Sequence, residues 1–132
     1  SVGAYNSQTR KVMFLAEGKV HFYDITSGKE TGTPRIIYWG QAAVPAEDPL
    51  ENDINIENYN TSVVYTGMPS AELGFLNFNI YQVELYNASS GVMTQVLKLP
   101  EDAPAPLSFN FACCNGIFWI FNMDTRTWLG YK

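Results

Sequence analysis

Hydrophobic residues recur along the chain in short runs that are separated by glycine, proline, asparagine and serine. The most apolar part spans residues 106–121, where Asn115 and Gly116 separate two such runs. Asn-Gly supplies the two positive-φ positions of a type I′ turn, so the two runs are predicted to pair as an antiparallel hairpin. In the first arm apolar and milder positions alternate, which is typical of a strand with one buried face.

The second arm of this hairpin is apolar on both faces. Because side chains alternate along a strand, Ile117, Trp119 and Phe121 are expected on one face, and Phe118 and Ile120 on the other. One face should pack in the chain's own core, and the other against another layer or another chain. The sequence therefore predicts a homodimer interface. Its candidate residues are Phe118, Trp119, Ile120 and Phe121.

The same pattern predicts strands through much of the remaining chain. They cover residues 11–16, 19–25, 35–40, 61–66, 74–86, 92–99 and 126–131. Within the long run the apolar positions change parity between Ile80 and Tyr81. This change predicts a bulge, a bend or a strand that passes from one sheet to another. Residues 1–10 are polar and are predicted to be a linker.

These patterns define the predicted fold class. They give about nine or ten short strands at close spacing, with no convincing helix and no internal repeat. We expect an all-β, antiparallel β-sandwich of jelly-roll or immunoglobulin-like type, and a closed barrel is the alternative. At 132 residues the chain is long enough for one domain with its own core. The whole chain, residues 1–132, is therefore predicted to be a single domain that was excised from a longer protein.

Composition and charge narrow the possible functions. Hydrophobic residues make up 46% of the chain and aromatic residues 14%, which favours an all-β domain. A formal net charge of −5 argues against a nucleic-acid-binding protein, which would carry a basic face. No signal peptide opens the sequence, and no apolar run approaches the ~20 residues that span a bilayer. Membrane insertion is therefore not expected.

Acidic residues are concentrated in the middle of the chain, where residues 36–97 contain no lysine or arginine. Residues 41–59 form the longest irregular stretch, with at most a brief strand at residues 53–57, and Asp48, Glu51 and Asp53 lie within it. Carboxylate oxygens at short intervals are the ligands that Ca²⁺ prefers, although this spacing does not match an EF-hand. These three residues are the candidate metal ligands. The alternatives are a solvated acidic surface and a patch for a basic partner.

The sequence contains little that indicates catalysis, and the protein is predicted not to be an enzyme. Its one histidine, His21, falls within a predicted strand, so a triad would have to be built around a packing residue. Cys113 and Cys114 are adjacent and lack the spacing of a zinc site. Loop carboxylates as a glycosidase pair remain an open alternative. Phosphate-binding and dinucleotide-binding glycine patterns do not occur.

Two features of the sequence concern covalent modification. Neighbouring cysteines on a strand point to opposite faces, so Cys113 and Cys114 are expected to be free thiols. Free thiols favour a reducing compartment, although pairing with a partner chain is an alternative. Asn60-Thr61-Ser62 and Asn87-Ala88-Ser89 match the glycosylation sequon and would be available if the chain is secreted.

Tyrosines outside the late hairpin are candidates for a recognition surface. Tyrosine offers a large, stiff contact area with a polar tip, as binding surfaces often do, while the alternative is a place in the core. The loops around residues 59–68 are predicted to contact a ligand or receptor. The candidate residues are Tyr59, Asn60, Tyr65 and Met68.

Several features together resemble a known family. They are the linker-like residues 1–10, the hairpin of residues 11–25 with its turn at Glu17 and Gly18, short strands rich in tyrosine and asparagine, unpaired cysteines, and a strand near the carboxyl end. In this combination the chain resembles the protruding domain of the capsid protein of small icosahedral RNA viruses of the nodavirus or tombusvirus kind. The resemblance implies a spike on the virion surface that pairs with its twin and presents loops to a host receptor or glycan. It implies host-cell attachment without an enzymatic step.

A lectin or carbohydrate-binding β-sandwich is the competing class, and a microbial adhesin or toxin fragment is a third. Lectins of this kind stack aromatic residues on sugars and often use Ca²⁺, and such a protein would be secreted. The spike hypothesis predicts a dimer through the two-faced strand. The lectin hypothesis predicts a monomer or small oligomer with an exposed tyrosine or tryptophan over the acidic loop.

Overall fold

A computed structural model describes residues 3–46 and 56–132 of the chain. The described residues form an all-β, antiparallel and sandwich-like fold with twelve strands and one short 3₁₀ helix at Ile56–Asn58. The all-β prediction is therefore confirmed. The strands are β1 (Ala4–Asn6), β2 (Lys11–Ala16), β3 (Lys19–Asp24), β4 (Lys29–Glu30), β5 (Arg35–Ile36), β6 (Val64–Tyr65), β7 (Glu72–Asn77), β8 (Gln82–Asn87), β9 (Met93–Lys98), β10 (Phe111–Cys114), β11 (Ile117–Asn122) and β12 (Thr127–Tyr131).

Within the described residues the strands form three sheets, and almost every ladder joins strands that follow one another in the chain. Sheet 1 has the order β1-β2-β3-β4, with β5 paired to β3. Sheet 2 has the order β6-β7-β8-β9, and sheet 3 has the order β10-β11-β12. Each sheet is thus an antiparallel meander, and the strand that comes first in the chain (β1, β6 or β10) lies at one edge of its sheet.

One turn type closes five of the hairpins. An Asn or Asp ends the first strand, and its side-chain Oδ1 accepts hydrogen bonds from the N–H groups two and three residues later. The fourth residue after it has a positive φ and leads into the next strand. This side-chain bond offers the backbone a ready-made turn and so ends the strand there. The five residues that begin these turns are Asn6, Asp24, Asn77, Asn87 and Asn122.

This turn accounts for the parity change near residue 80. The run 74–86 is two strands, because Asn77 closes a turn that ends at Tyr81, whose φ is 54°. The change therefore comes from a hairpin, and β7 and β8 pair side by side in one sheet. By contrast, the predicted turn at Asn115 and Gly116 is confirmed, since both have positive φ between β10 and β11.

Sheet 2 lies between sheets 1 and 3 and is covered on both faces. Alternate residues of β7 and β8 belong to two different cores, which is why both strands are buried along nearly their whole length. The core between sheets 1 and 2 contains Met13, Val20, Ile37, Val63, Leu73, Phe75 and Tyr86. The core between sheets 2 and 3 contains Val64, Leu76, Val83, Leu85, Leu99, Ala103, Phe111, Phe118 and Ile120.

The first strands of the three sheets lie next to one another. β6 contacts both β1 and β10, and residues from all three segments line a cavity of about 230 Å³. Gly74 is required inside sheet 2. A Cβ atom there would lie 2.6 Å from Val64 Cγ2 and 3.2 Å from Leu85 Cδ2, the side chains of its two paired neighbours, so a larger residue would clash within the sheet. Phe118 Cε1 of sheet 3 would lie 3.7 Å from that Cβ atom, which is ordinary van der Waals contact.

Three further segments differ from the sequence predictions. Residues 4–6, which the sequence assigns to a linker, form β1 and pair with residues 11–13 of β2. The strand predicted at residues 35–40 is limited to Arg35–Ile36, and Ile37 enters the core beyond it. A brief strand predicted at residues 53–57 falls partly outside the described residues, and its end begins the 3₁₀ helix.

Candidate functional site

The outer face of sheet 3 is an uncharged aromatic surface, which we call the leading face of sheet 3. It is opposite to the face that packs on sheet 2. Its residues are Ala112, Cys114, Ile117, Trp119, Phe121, Trp128 and Gly130. The Phe121 and Trp128 rings pack with their centroids 5.2 Å apart, and Trp128 is nevertheless 49% exposed.

The structure divides the predicted interface residues between the two faces of β11. Phe118 and Ile120 are buried in the core between sheets 2 and 3, where a second molecule would not reach them. Trp119 and Phe121 lie on the leading face and are half-buried. Trp128, on the neighbouring strand, extends this surface and was not predicted, because only the pairing register places it beside Phe121.

Sheet 1 also has an uncovered face, which we call the trailing face of sheet 1. It carries aromatic residues and one histidine. Its central residues are Tyr5, Val12, Phe14, His21 and Tyr23. The His21 ring stacks on Phe14 with centroids 5.4 Å apart, its Nδ1 contacts the Glu30 carboxylate, and its Nε2 lies 3.2 Å from the Ala16 carbonyl oxygen. His21 is therefore held by packing and hydrogen bonds in a strand.

The predicted ligand-contacting residues do not form one surface. Asn60 is fully buried, and its Nδ2 donates to the carbonyl oxygens of Pro106 and Phe109 at 2.9 and 2.8 Å. Tyr59 is half-buried and donates to a core carboxylate. Tyr65 and Met68 lie at the surface beside one another, with the Tyr65 hydroxyl 3.9 Å from the Met68 sulfur.

That core carboxylate is Glu84, which is only 2% exposed. Its Oε1 accepts from the hydroxyls of Tyr59 and Tyr86 at 2.7 and 2.6 Å. Its Oε2 accepts from Asn77 Nδ2 at 3.2 Å and from Gln82 Nε2 at 2.6 Å. Four donors satisfy one buried anion, which offsets the cost of removing it from water.

This network changes the ionisation of its tyrosines. Burial raises the pKa of Tyr59 and of Tyr86 well above the ordinary value of 10.0, and the hydrogen bond to Glu84 raises both pKa values further. Gly40 N–H also donates to the Tyr86 hydroxyl at 2.8 Å, so the network fastens the segment after β5 to sheet 2. A glutamate between Val83 and Leu85 in the middle of a buried strand is the available sequence signal for it.

A cleft of about 600 Å³ opens between sheets 2 and 3. Glu72 lines it and is 6% exposed, with its carboxylate accepting from the Thr94 hydroxyl and, at 3.4 Å, from Gln95 Nε2. Phe118 and Met68 supply apolar walls, while hydroxyl and amide groups lie along the rim. The cleft combines apolar contact area with convergent polar groups, as small-ligand sites often do.

The two cysteines are free and lie on opposite faces of β10, as their adjacency predicts. Cys113 packs against the core between sheets 2 and 3, and burial raises the pKa of its thiol. Cys114 is exposed on the leading face. Of the two sequons, the one at Asn60 has its side chain fully engaged in the interior, whereas Asn87 lies in a surface turn.

The candidate calcium ligands Asp48, Glu51 and Asp53 lie outside the described residues. Among residues 3–46 and 56–132, no three His, Cys, Asp or Glu side chains are grouped so that they could hold a metal ion. In the same part of the chain, no helix has the length and apolar character needed to cross a membrane.

No protein-family model and no curated protein matches this chain. What is established is therefore the class of fold, an all-β stack of antiparallel sheets, and the surfaces and cleft that this fold presents.

Proposed function

We propose that the protein is a non-enzymatic assembly and attachment module that forms a homodimer through the leading face of sheet 3 and presents its surface loops to a binding partner. The observation that carries this proposal is the leading face itself, on which Trp128 stays 49% exposed beside Trp119 and Phe121. Clustered exposed aromatics without charge are typical of protein interfaces. Tryptophan is also among the residues that contribute most binding energy when an interface buries them.

The resemblance described above supports a particular setting, the surface of a virion. There the dimer is a spike, and its loops attach the particle to a host receptor or glycan. Of the four residues that the sequence predicts to contact a receptor, Tyr65 and Met68 lie at the surface and are available for such contact. A loop with an exposed methionine beside a tyrosine offers adaptable apolar contact with one polar tip.

Analytical ultracentrifugation tests the assembly step. The wild-type chain is expected to be dimeric at micromolar concentration, and Trp128→Lys is expected to be monomeric with an unchanged circular dichroism spectrum. Leu107→Lys is the matched control, since Leu107 is 64% exposed and lies outside the leading face. A wild-type chain that stays monomeric at 100 μM, roughly the weak end of specific association, contradicts the proposal.

A second candidate function, a secreted carbohydrate-binding module, is favoured by the cleft between sheets 2 and 3. Glu72 is nine-tenths buried there, and a carboxylate that faces a partly apolar cleft is suited to accept hydrogen bonds from sugar hydroxyls. A glycan array followed by titration of each hit tests it. Glu72→Gln should weaken binding by about tenfold, while Glu101→Gln, at an exposed position outside the cleft, should leave it unchanged.

A further inference from the structure

The three sheets have five, four and three strands, but they repeat one pattern of turns and pairing registers that the sequence does not reveal. Asn77 and Asn122 begin the same turn after the second strand of sheets 2 and 3, and Asp24 and Asn87 begin it after the third strand of sheets 1 and 2. When the strands are aligned on these turns, one directly paired couple in each sheet falls at the same position. They are Phe14 with His21, Phe75 with Glu84, and Ile120 with Leu129.

This equivalence assigns a direction to the stack. Sheet 1 turns Met13, Val20 and Phe22 toward sheet 2, and sheet 2 turns the equivalent residues of its own strands toward sheet 3. The opposite, trailing faces follow the same rule. Sheet 2 turns Leu73 and Phe75 back toward sheet 1, and sheet 3 turns the equivalent residues back toward sheet 2.

Two faces of this series are uncovered. They are the trailing face of sheet 1 and the leading face of sheet 3. Inside the chain, a leading face and a trailing face are buried against each other between sheets 1 and 2, and again between sheets 2 and 3. A contact between unlike faces propagates until the rotation between units closes a ring. The adjacency of β1, β6 and β10 gives this ring an axis, because the three sheets meet at their first strands.

We propose that a second copy of this chain covers both faces at once, with the leading face of sheet 3 in each copy packed on the trailing face of sheet 1 in the other. This inference rests on the proposed homodimer and names the surface that sheet 3 contacts. The assembly is a ring of six sheets around the first strands. Six lies within the range of roughly four to eight radially arranged four-stranded sheets in propeller-type folds.

The sizes of the residues at one repeated position support this pairing. Inside the chain, Phe118 approaches Gly74, the smallest residue at that position of a leading face. At the equivalent position between sheets 1 and 2, Leu73 and Met13 share one core. In the proposed contact Val12, the smallest of the three trailing residues, would oppose Trp119, the largest of the leading ones. A large residue thus meets a small one at this position both inside the chain, as Phe118 and Gly74, and in the proposed contact, where the pair has the larger total volume.

The alternative homodimer joins the leading face of sheet 3 to its own copy and leaves sheet 1 exposed. Sheet 1 would then keep Tyr23 39% exposed, together with Tyr5 at 50%, beside the stacked Phe14. The ring covers these aromatics as well as Trp128, so it removes both aromatic surfaces from water with a single partner.

Two variants separate these arrangements. Trp128→Lys alters the leading face, and Tyr23→Glu alters the trailing face. In the ring each variant alone damages both contacts, so each should raise the dimer dissociation constant by on the order of 30-fold or more. Tyr81→Glu is the control for Tyr23→Glu, because Tyr81 is 38% exposed and lies in a turn away from both faces.

Mixing the two monomeric variants is the decisive measurement, made by sedimentation with one variant fluorescently labelled. A mixed ring has one contact between two unaltered faces and one that places Lys opposite Glu, so a heterodimer should form although neither variant self-associates. A dimer that survives Tyr23→Glu but not Trp128→Lys overturns the ring and leaves the proposed homodimer standing. Failure of the mixture to associate also overturns the ring, and a monomeric wild type overturns both.

Discussion

The indole ring of Trp119 lies over Gly130, its direct neighbour on the adjacent strand. A Cβ atom at Gly130 would lie 2.9 Å from Trp119 Cζ3 and 2.9 Å from Ile117 Cγ2. The same two positions in sheet 2 are held by Gly74 and Leu85, which are also directly paired. In each sheet a glycine is paired with a large residue at this position. The large residue is on the second strand in sheet 3 and on the third strand in sheet 2.

Gly130→Ala should therefore displace the Trp119 indole from the leading face. We expect a loss of about 1–2 kcal/mol in the free energy of unfolding, because overpacking costs that much where neighbours can partly move. Urea titration followed by tryptophan fluorescence measures both effects. In a Trp119→Val background the same Gly130→Ala change should cost less, because only the contact with Ile117 Cγ2 remains, and an equal loss in the two backgrounds would contradict the contact with Trp119.

The Glu84 network provides a second prediction. Glu84→Ala leaves four buried donors without their acceptor and opens a cavity, so it should destabilise the fold by about 3–5 kcal/mol. Tyr59→Phe removes one hydrogen bond and should cost about 1–2 kcal/mol. Glu101→Ala, at an exposed site, is the control and should stay within about 0.5 kcal/mol of wild type. Chemical denaturation measures the free energy of unfolding of the three variants, and the loss should be largest for Glu84→Ala and smallest for Glu101→Ala.

Alkaline pH provides a third prediction. Burial and the bond to Glu84 raise the pKa of Tyr59 and Tyr86 in the folded state, whereas both should ionise near 10.0 once unfolded. The contribution of these two protonated tyrosines to the free energy of unfolding is fully present below pH 10. It is lost as the pH rises above 10, because the unfolded chain then releases protons that the folded chain retains. Unfolding measured from pH 9 to 11.5 should show this loss.

The double variant with Tyr59→Phe and Tyr86→Phe is the control for that titration. It should begin less stable, because two hydrogen bonds to Glu84 are gone, but its stability should fall less steeply above pH 10. Ultraviolet absorbance of tyrosinate in the wild-type protein should also show two side chains that ionise only as the fold is lost. Equal slopes for the two proteins would contradict the role of these tyrosines.

The sequence predicts the parts of this fold that depend on neighbouring residues. The turn at Asn115 and Gly116 is specified by two residues, and the alternation of β11 follows from six, so the late hairpin and its two faces are confirmed. The five Asn and Asp turns are equally local. The sequence predicts turns after Asn87 and Asn122, but not that all five share one turn type, because the last residue is glycine at only two of the five sites and arginine or tyrosine holds the positive φ at the others.

The stacking of the sheets and the site residues could not be predicted in the same way. Glu84 obtains donors from Tyr59 and Asn77, and nothing in the chain between them indicates that they meet. Equivalence of the sheets is hidden because the corresponding turns lie at unequal spacings. Trp128 belongs to a short strand that is mostly exposed, so its place beside Phe121 depends on the ladder between β11 and β12.

The two sequon asparagines provide a matched pair for a final prediction. Asn60 donates to the carbonyls of Pro106 and Phe109 and accepts from Ser62 N–H at 2.8 Å, all inside the protein. Asn87 accepts only from the N–H groups of its own surface turn. Asn60→Ala should therefore cost about 2–4 kcal/mol, because it leaves two part-buried carbonyls and one buried N–H without their partner, and Asn87→Ala should cost about 1 kcal/mol.

Expression through a secretory pathway extends this comparison. Folded protein should carry a glycan at Asn87 only, since a glycan on Asn60 would have to occupy the space of residues 106–109 and would prevent the fold. Peptide mass spectrometry of the folded and aggregated fractions measures occupancy at each site. Folded material with a glycan on Asn60 would show that its side chain leaves the interior, and the buried network around Asn60 would then have to be rejected.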